Sequence, residues 1–140
     1  MSKKYRIVID TNVFISALRS QKGASYKLLF ETSRRKYEQC ISPALIFEYE
    51  SAAKRQNLKI NIEQIDAIID MICLRSKKCE LYFLWRPFLK DPKDDFILEL
   101  AIESESEFIV TYNIKDFEGV FQFGINAVNP KEFFKIIGEI

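Results

Sequence analysis

No histidine occurs in this 140-residue chain. That absence excludes a Ser-His-Asp triad, a Cys-His dyad and the usual histidine-built zinc sites. Cysteine is scarce: Cys40, Cys73 and Cys79 make an odd number, and no two form a Cys-x-x-Cys pair. This argues against a disulfide framework or a thiolate zinc site and fits a reducing compartment. An excess of one charge is also lacking. The formal net charge is +1, neither a basic nucleic-acid coat nor an acidic tail, so any nucleic-acid contact must come from a local patch. No uninterrupted apolar run is long enough to span a bilayer. Met1-Ser2-Lys3-Lys4 leads straight into a first strand, leaving no room for a signal peptide. These features predict a soluble, cytoplasmic protein without a membrane partner. Any hydrolytic chemistry has to run on carboxylates, lysines or an oxygen-liganded metal.

What is present is core-forming material. Hydrophobic residues make up 48% of the chain and 12 of its residues are phenylalanine, which argues against disorder. The length fits one domain over residues 1–140. Ile7-Val8-Ile9 is a short β-branched run that ends abruptly at Asp10-Thr11-Asn12. Such a run suits a strand buried on both faces, whose carboxyl end opens on the ligand crevice of an α/β sheet. Val13 to Leu18 can begin a helix capped by Thr11 or Asn12. A second amphipathic segment carries Tyr26, Leu28, Leu29 and Phe30, and a short strand is expected around Gln39 to Ile41.

Ser42-Pro43 is a hydroxyl cap followed by a first-turn proline, and the helix it starts should run to about Arg55. Asn61 opens another helix, with Ile65, Ile68, Ile69 and Ile72 at helical spacing. Glu80 to Trp85 reads as a strand or an extended linker. Asp91-Pro92 repeats the cap-then-proline signal, with Asp94 where an acid favours the helix N-terminus. Phe108-Ile109-Val110 is a further strand, Lys115-Asp116-Phe117 a loop or single helical turn, Ile125 to Val128 a last strand, and Pro130 starts a terminal helix through Ile137. Strands alternating with helices point to a mostly parallel sheet with helices on both faces.

Acids then collect at the ends of elements. Asp10 follows the first strand; Asp91, Asp94 and Asp95 crowd a helix start; Asn113 and Asp116 follow a later strand; Glu48 lies in the helix begun at Ser42. Each has a purely structural reading as well: Asp10 and Asp91 as caps, Asp94 as a first-turn acid, Glu48 as a solvated charge, Asp116 as turn chemistry. If these carboxylates converge they repel. A pair ~4 Å apart costs about 4 kcal/mol at an effective dielectric near 20. Raised pKa values or a bound divalent cation relieve this. Oxygen-only ligands favour Mg2+ or Mn2+ over zinc, a centre suited to phosphodiester hydrolysis.

The blocks Ile7-Val8-Ile9-Asp10-Thr11-Asn12-Val13, Ile41-Ser42-Pro43-Ala44-Leu45 through Glu48-Tyr49, Asp91-Pro92-Lys93-Asp94-Asp95 through Ala101, and Ile109-Val110-Thr111-Tyr112-Asn113 with Lys115-Asp116-Phe117 together resemble a PIN domain. The resemblance is to the branch related to VapC-like ribonucleases, toxin components of toxin–antitoxin pairs, and it spans nearly the whole chain. It implies a three-layer α/β/α fold around a central, mostly parallel sheet of four or five strands. It also implies a Mg2+- or Mn2+-dependent endoribonuclease acting on single-stranded RNA. By position, Asp10 matches the first acid, Glu48 the second and Asp94 the third. Asp94 is preferred to Asp95 because Leu98 and Ala101 then fall at the family's spacing. At the fourth position many relatives carry an acid where this chain has Asn113. Others have asparagine there and an acid three residues on, which Asp116 matches. Thr11, Asn12, Thr111, Asn113 and Asp95 are then the residues that orient the carboxylates and the metal-bound water. The resemblance further implies an inhibiting antitoxin partner and a homodimer.

Two rival readings stand beside this one. Asp10-Thr11-Asn12-Val13 is one residue away from the nucleophile motif of haloacid-dehalogenase-type phosphatases, but Asn12 replaces the second carboxylate, and an amide cannot act as that general acid. A catalytically weak or inactive PIN-like module that binds RNA or protein is the other. Arg34-Arg35-Lys36, Lys54-Arg55 and Arg75-Ser76-Lys77-Lys78 are candidate phosphate contacts, with helix-end capping as their structural alternative. Leu81 to Phe88 could stack bases, form a subunit contact or lie in the core.

Overall fold

Ile7, Val8 and Ile9 are all fully buried, as consecutive β-branched residues are when both faces of a strand are covered. They end β1 (Tyr5–Ile9), which lies between β2 (Tyr37–Ile41) and β4 (Phe108–Val110) and is parallel to both. The computed structural model of the chain describes residues 4–31, 36–80, 89 and 94–139. A two-residue β3 (Lys77–Lys78) pairs with β2, and β5 (Asn126–Val128) pairs with β4, again in parallel. The sheet therefore has five parallel strands in the order β3-β2-β1-β4-β5, flanked by helices as the α/β expectation required.

Parallel neighbours need crossovers. Here α1 (Thr11–Arg19) and α2 (Ala24–Phe30) join β1 to β2, and α3 (Pro43–Arg55) and α4 (Ile62–Arg75) join β2 to β3. α5 (Asp95–Glu103) precedes β4, two 3-10 turns (Ile114–Phe117 and Val120–Phe123) precede β5, and α6 (Pro130–Ile136) follows it. The chain winds outward from β1 through β2 to β3, then crosses back to β4. The carboxyl ends of β1 and β4 thus flank the point where strand order reverses, the place where an open α/β sheet forms its crevice. Their register pairs Ile9 with Val110, so Asp10 and Thr111 leave the sheet side by side.

Local chemistry explains the helix starts. Ser42 accepts from Leu45 N at 3.2 Å with Pro43 in the first turn, and Asn61 and Gln64 close a reciprocal capping box. Caps of this kind contribute about 1 kcal/mol each. Asn129 repeats the pattern ahead of Pro130. Between sheet and helices, Phe14 of α1 stacks on Tyr49 of α3 with centroids 4.4 Å apart, an arrangement worth about 0.5–1.5 kcal/mol beyond area burial. On the far side of the core Phe133 meets Tyr37 and Phe108 edge-on.

Several boundaries depart from expectation. Helix α1 begins at Thr11, and its cap is Asp10, the structural reading of that acid, rather than Thr11 or Asn12. Lys77–Lys78, read only as part of a cationic cluster, forms the edge strand β3; lysine suits an edge because its charge discourages a further strand from pairing there. Helix α5 is described from Asp95, and the Asp91-Pro92 start signal lies outside the described residues. The Leu81–Phe88 stretch and Arg34-Arg35 also lie outside them. The three cysteines are free thiols; Cys40 is buried, and Cys73 and Cys79 pack partly buried against the core.

Candidate active site

Asp10 is 8% exposed at the end of the central strand, with both carboxylate oxygens engaged. Oδ1 accepts from the Thr11 amide at 2.8 Å and Oδ2 accepts from the Thr111 hydroxyl at 2.7 Å. Burial pushes the Asp10 pKa up; the two hydrogen bonds oppose that, and the charges of Asp116 and Glu48 add to it. The position thus holds a carboxylate whose ionisation is penalised and whose orientation is fixed.

Thr111, fully buried, is the hub of the β4 end. Besides donating to Asp10, its hydroxyl accepts from Asn113 N at 3.0 Å and from Asn12 Nδ2 at 3.5 Å. Asn12 reaches back across the gap, its Oδ1 accepting from Tyr112 N at 3.3 Å. Beneath this layer Tyr49 donates its phenolic hydrogen to the Ile9 carbonyl and accepts from Gln39 Nε2 at 3.3 Å. Burial, and next the charge of Asp10, hold the Tyr49 pKa well above its ordinary value, so the phenol stays neutral.

Above Asp10 opens a crevice of about 490 Å³. Asp10, Thr11 and Asn12 line it from the β1 end, Glu48 from α3, Asp94 from the start of α5, and Asn113 from beyond β4. Asp94 occupies the position before α5, yet its side chain does not cap that helix. Asp95 is instead fully buried and accepts from Leu89 N at 2.9 Å. Asp116, half-buried in the Ile114–Phe117 turn, is not among the residues lining the crevice, although its charge is felt at Asp10. Among the described residues no three acids are drawn close enough to form a ready-made ligand set. Glu48 is instead held by Arg55, with Oε1 3.5 Å from Nη2.

Sequence reasoning overlooked Arg19, Tyr49, Gln39 and Gln56. Arg19 was within reach of periodicity, because Asn12, Ser16 and Arg19 follow one helical stripe and all line the crevice. Tyr49 enters the sequence reading only within a block that resembles the family, and nothing local marks its hydroxyl as the partner of a strand carbonyl.

The PIN-domain family model matches residues 6–115. This chain belongs to the PIN-domain family. No curated protein matches it. Among solved structures, the PIN fold of this chain is similar to VapBC2 from Rickettsia felis, bound to a DNA fragment from its promoter, with a TM-score of 0.63 at 17% identity over 89% of this chain and 98% of that one. It is similar to VapBC-1 from nontypeable Haemophilus influenzae, with a TM-score of 0.61 at 16% identity over 90% and 98% of the two chains. PAE2754 from Pyrobaculum aerophilum gives 0.59 at 12% identity over 97% and 91%. At these identities the likeness is one of fold. Among the described residues, no helix of this PIN domain is long and apolar enough to cross a membrane.

Proposed function

We propose that this PIN domain is a Mg2+- or Mn2+-dependent endoribonuclease of the VapC-like toxin type, cutting phosphodiester bonds of single-stranded RNA. The observation that carries the reading is a buried, oriented Asp10 at the strand-order reversal, opening on the same crevice as Glu48 and Asp94. The donor chemistry fits a hard divalent cation: three carboxylates, no nitrogen or sulfur ligand, and a burial penalty at Asp10 that a cation would relieve. Asp10, Glu48 and Asp94 would hold it, with Asp116 as a more distant fourth acid.

A cation bound there would lower the pKa of a water and offset charge on the phosphate. The chain's own residues supply the rest. The Thr111 hydroxyl and the Thr11 amide keep Asp10 in one rotamer, and Asn12 ties the β1 and β4 ends together so that Thr111 stays in place. Tyr49 fixes the carbonyl immediately before Asp10. Asp95 supports the segment that carries Asp94. Two of the similar solved structures are VapBC proteins, which supports a protein antitoxin as partner; a homodimeric state belongs to the same proposal.

The phosphatase alternative is dropped. Asn12, which would have to stand for its general acid, is an amide tied to Tyr112 and Thr111, and the family assignment points elsewhere. The inactive binding module has two observations in its favour: Glu48 is paired with Arg55, and Asp116 stands off the crevice. One experiment separates the two. Labelled single-stranded RNA is incubated with the purified protein and Mn2+, alongside Asp10→Asn and EDTA controls. Cleavage that needs the metal and Asp10 supports the nuclease; RNA binding with no cleavage under any metal supports the module.

A further inference from the structure

Arg19 and Arg55 come from different helices, yet both line the crevice that holds Asp10 and Asp94. On α1 the stripe Asn12, Ser16, Arg19 opens onto it, and on α3 the stripe Glu48, Ala52, Arg55 does the same. Both follow i, i+4, i+7 spacing, which keeps side chains on one helix face. Because α1 and α3 pack together, the two stripes end in guanidinium groups at one rim. Each is steadied by a neutral partner: Arg19 donates to the Gln56 side chain, and Arg55 Nη1 donates to Ser51 Oγ at 3.0 Å.

The pairing of Arg55 with Glu48 is weak by construction. Its atoms are 3.5 Å apart, with the two side chains 60% and 37% exposed, and a pair this open adds little to stability. It does occupy one carboxylate of the acidic crevice. A guanidinium carries five N–H donors in a planar fork suited to phosphate oxygens. Placing two such forks in a crevice lined by Asp10, Glu48 and Asp94 makes chemical sense if an anion must be received there against the repulsion of those acids.

We propose that Arg55 and Arg19 form a phosphate clamp for the RNA backbone, with Arg55 exchanging Glu48 for a phosphate when Glu48 turns to a divalent cation. The inference rests on the ribonuclease reading above. Without the cation, Arg55 neutralises Glu48; with it, the guanidinium is released toward the substrate. Arg19, hydrogen-bonded to the Gln56 side chain, contacts phosphate without competing for any metal ligand.

The test compares wild type with Arg55→Ala, Arg55→Lys and Arg19→Ala. Mn2+ binding is followed by electron paramagnetic resonance, and binding of a labelled single-stranded oligoribonucleotide is measured in EDTA and in Ca2+. Arg55→Ala should bind Mn2+ several-fold more tightly. In EDTA it should bind RNA within about twofold of wild type, and in Ca2+ ~10-fold more weakly with a salt slope reduced by about one. Arg55→Lys should fall between, since it keeps the charge and loses the fork. Arg19→Ala should weaken RNA binding and leave Mn2+ affinity unchanged. If both alanine variants bind RNA as wild type does in Ca2+, or if Arg55→Ala loses as much affinity in EDTA as in Ca2+, the exchange is wrong. If wild type binds Mn2+ in a manner abolished by Asp10→Asn while the arginine variants are inert, the clamp alone fails. If wild type binds neither Mn2+ nor RNA, the ribonuclease reading fails and the clamp with it. Both arginines are exposed, so matched thermal melts should confirm that the variants fold.

Discussion

The Thr111 hydroxyl donates to Asp10 Oδ2 at 2.7 Å across 101 positions of sequence, joining the carboxyl ends of the two central strands. Thr111→Val keeps the shape and removes the hydroxyl. Asp10 loses a donor, and the Asn113 amide and Asn12 Nδ2 lose their acceptor. A loss of about 1–3 kcal/mol is expected in urea denaturation, since buried polar groups are left without partners. That hydrogen bond also lowers the Asp10 pKa, so its removal should move the acid limb of the pH–rate profile to higher pH. An unmoved limb would mean that Asp10 is not the titrating group.

Asp10 also predicts how stability depends on pH. Burial raises its pKa in the folded state, so as pH rises the unfolded chain ionises first. Its contribution is fully present below the ordinary aspartate pKa of about 3.9 and is lost as pH climbs through the folded value. Asp10→Asn never ionises. In EDTA the variant should melt higher than wild type at neutral pH, with the difference shrinking as the solution is acidified. Adding Mn2+ should raise the wild-type Tm and leave the variant where it was. Calorimetric melts at several pH values, with and without metal, check both signs.

Much of this was legible because the informative signals are local. Ile7 to Asp10 marks a buried strand and its end; Ser42-Pro43 and Asn61 carry their own caps; the apolar run Phe108-Ile109-Val110 needs no partner to be recognised as a strand. What escaped carries no apolar signal of its own, depends on a distant neighbour, or turns on helix phase. Lys77–Lys78 has no apolar signal and is a strand only because Cys40 and Ile41 pair with it. The turn Val120–Phe123 is set by Gly119 and Gly124, both at positive φ, in a segment whose phenylalanines suggest no boundary. Among the acids, which side chain reaches the crevice is decided by helix phase. Asp94 and Asp95 are adjacent and chemically alike, yet one lines the crevice and the other is buried against Leu89. The ion pair between Glu48 and Arg55 spans seven positions on one helix face, and that spacing alone does not single it out from the other charges of the helix.

Tyr49→Phe isolates the hydrogen bonds under the site. The ring and its stack on Phe14 are retained, while donation to the Ile9 carbonyl and acceptance from Gln39 are lost. About 1–2 kcal/mol of stability should go. Because the pKa of this buried phenol is raised well above its ordinary value, it stays neutral, and the loss should be constant between about pH 5 and 9. Ile9 directly precedes Asp10, so Mn2+ affinity should fall in the variant as well. Unchanged affinity alongside the expected destabilisation would make Tyr49 a purely structural residue.

Asp94 and Asp95 provide the sharpest separation between site and scaffold. Asp94 lines the crevice without capping α5, and the isosteric Asp94→Asn should keep the fold. It should lose Mn2+ affinity and cleavage by ~100-fold or more, beyond the loss typical of residues that only orient a ligand. Asp95 accepts from the buried Leu89 amide at 2.9 Å, and Asp95→Ala leaves that donor without this acceptor. The variant should lose about 1–3 kcal/mol of stability while the fraction that remains folded still binds Mn2+. Titrating Mn2+ into both proteins at a temperature where each is folded reads the two effects separately. If Asp95→Ala abolishes metal binding and Asp94→Asn does not, the helix phase assigned to this segment is wrong, and the third carboxylate of the site is Asp95.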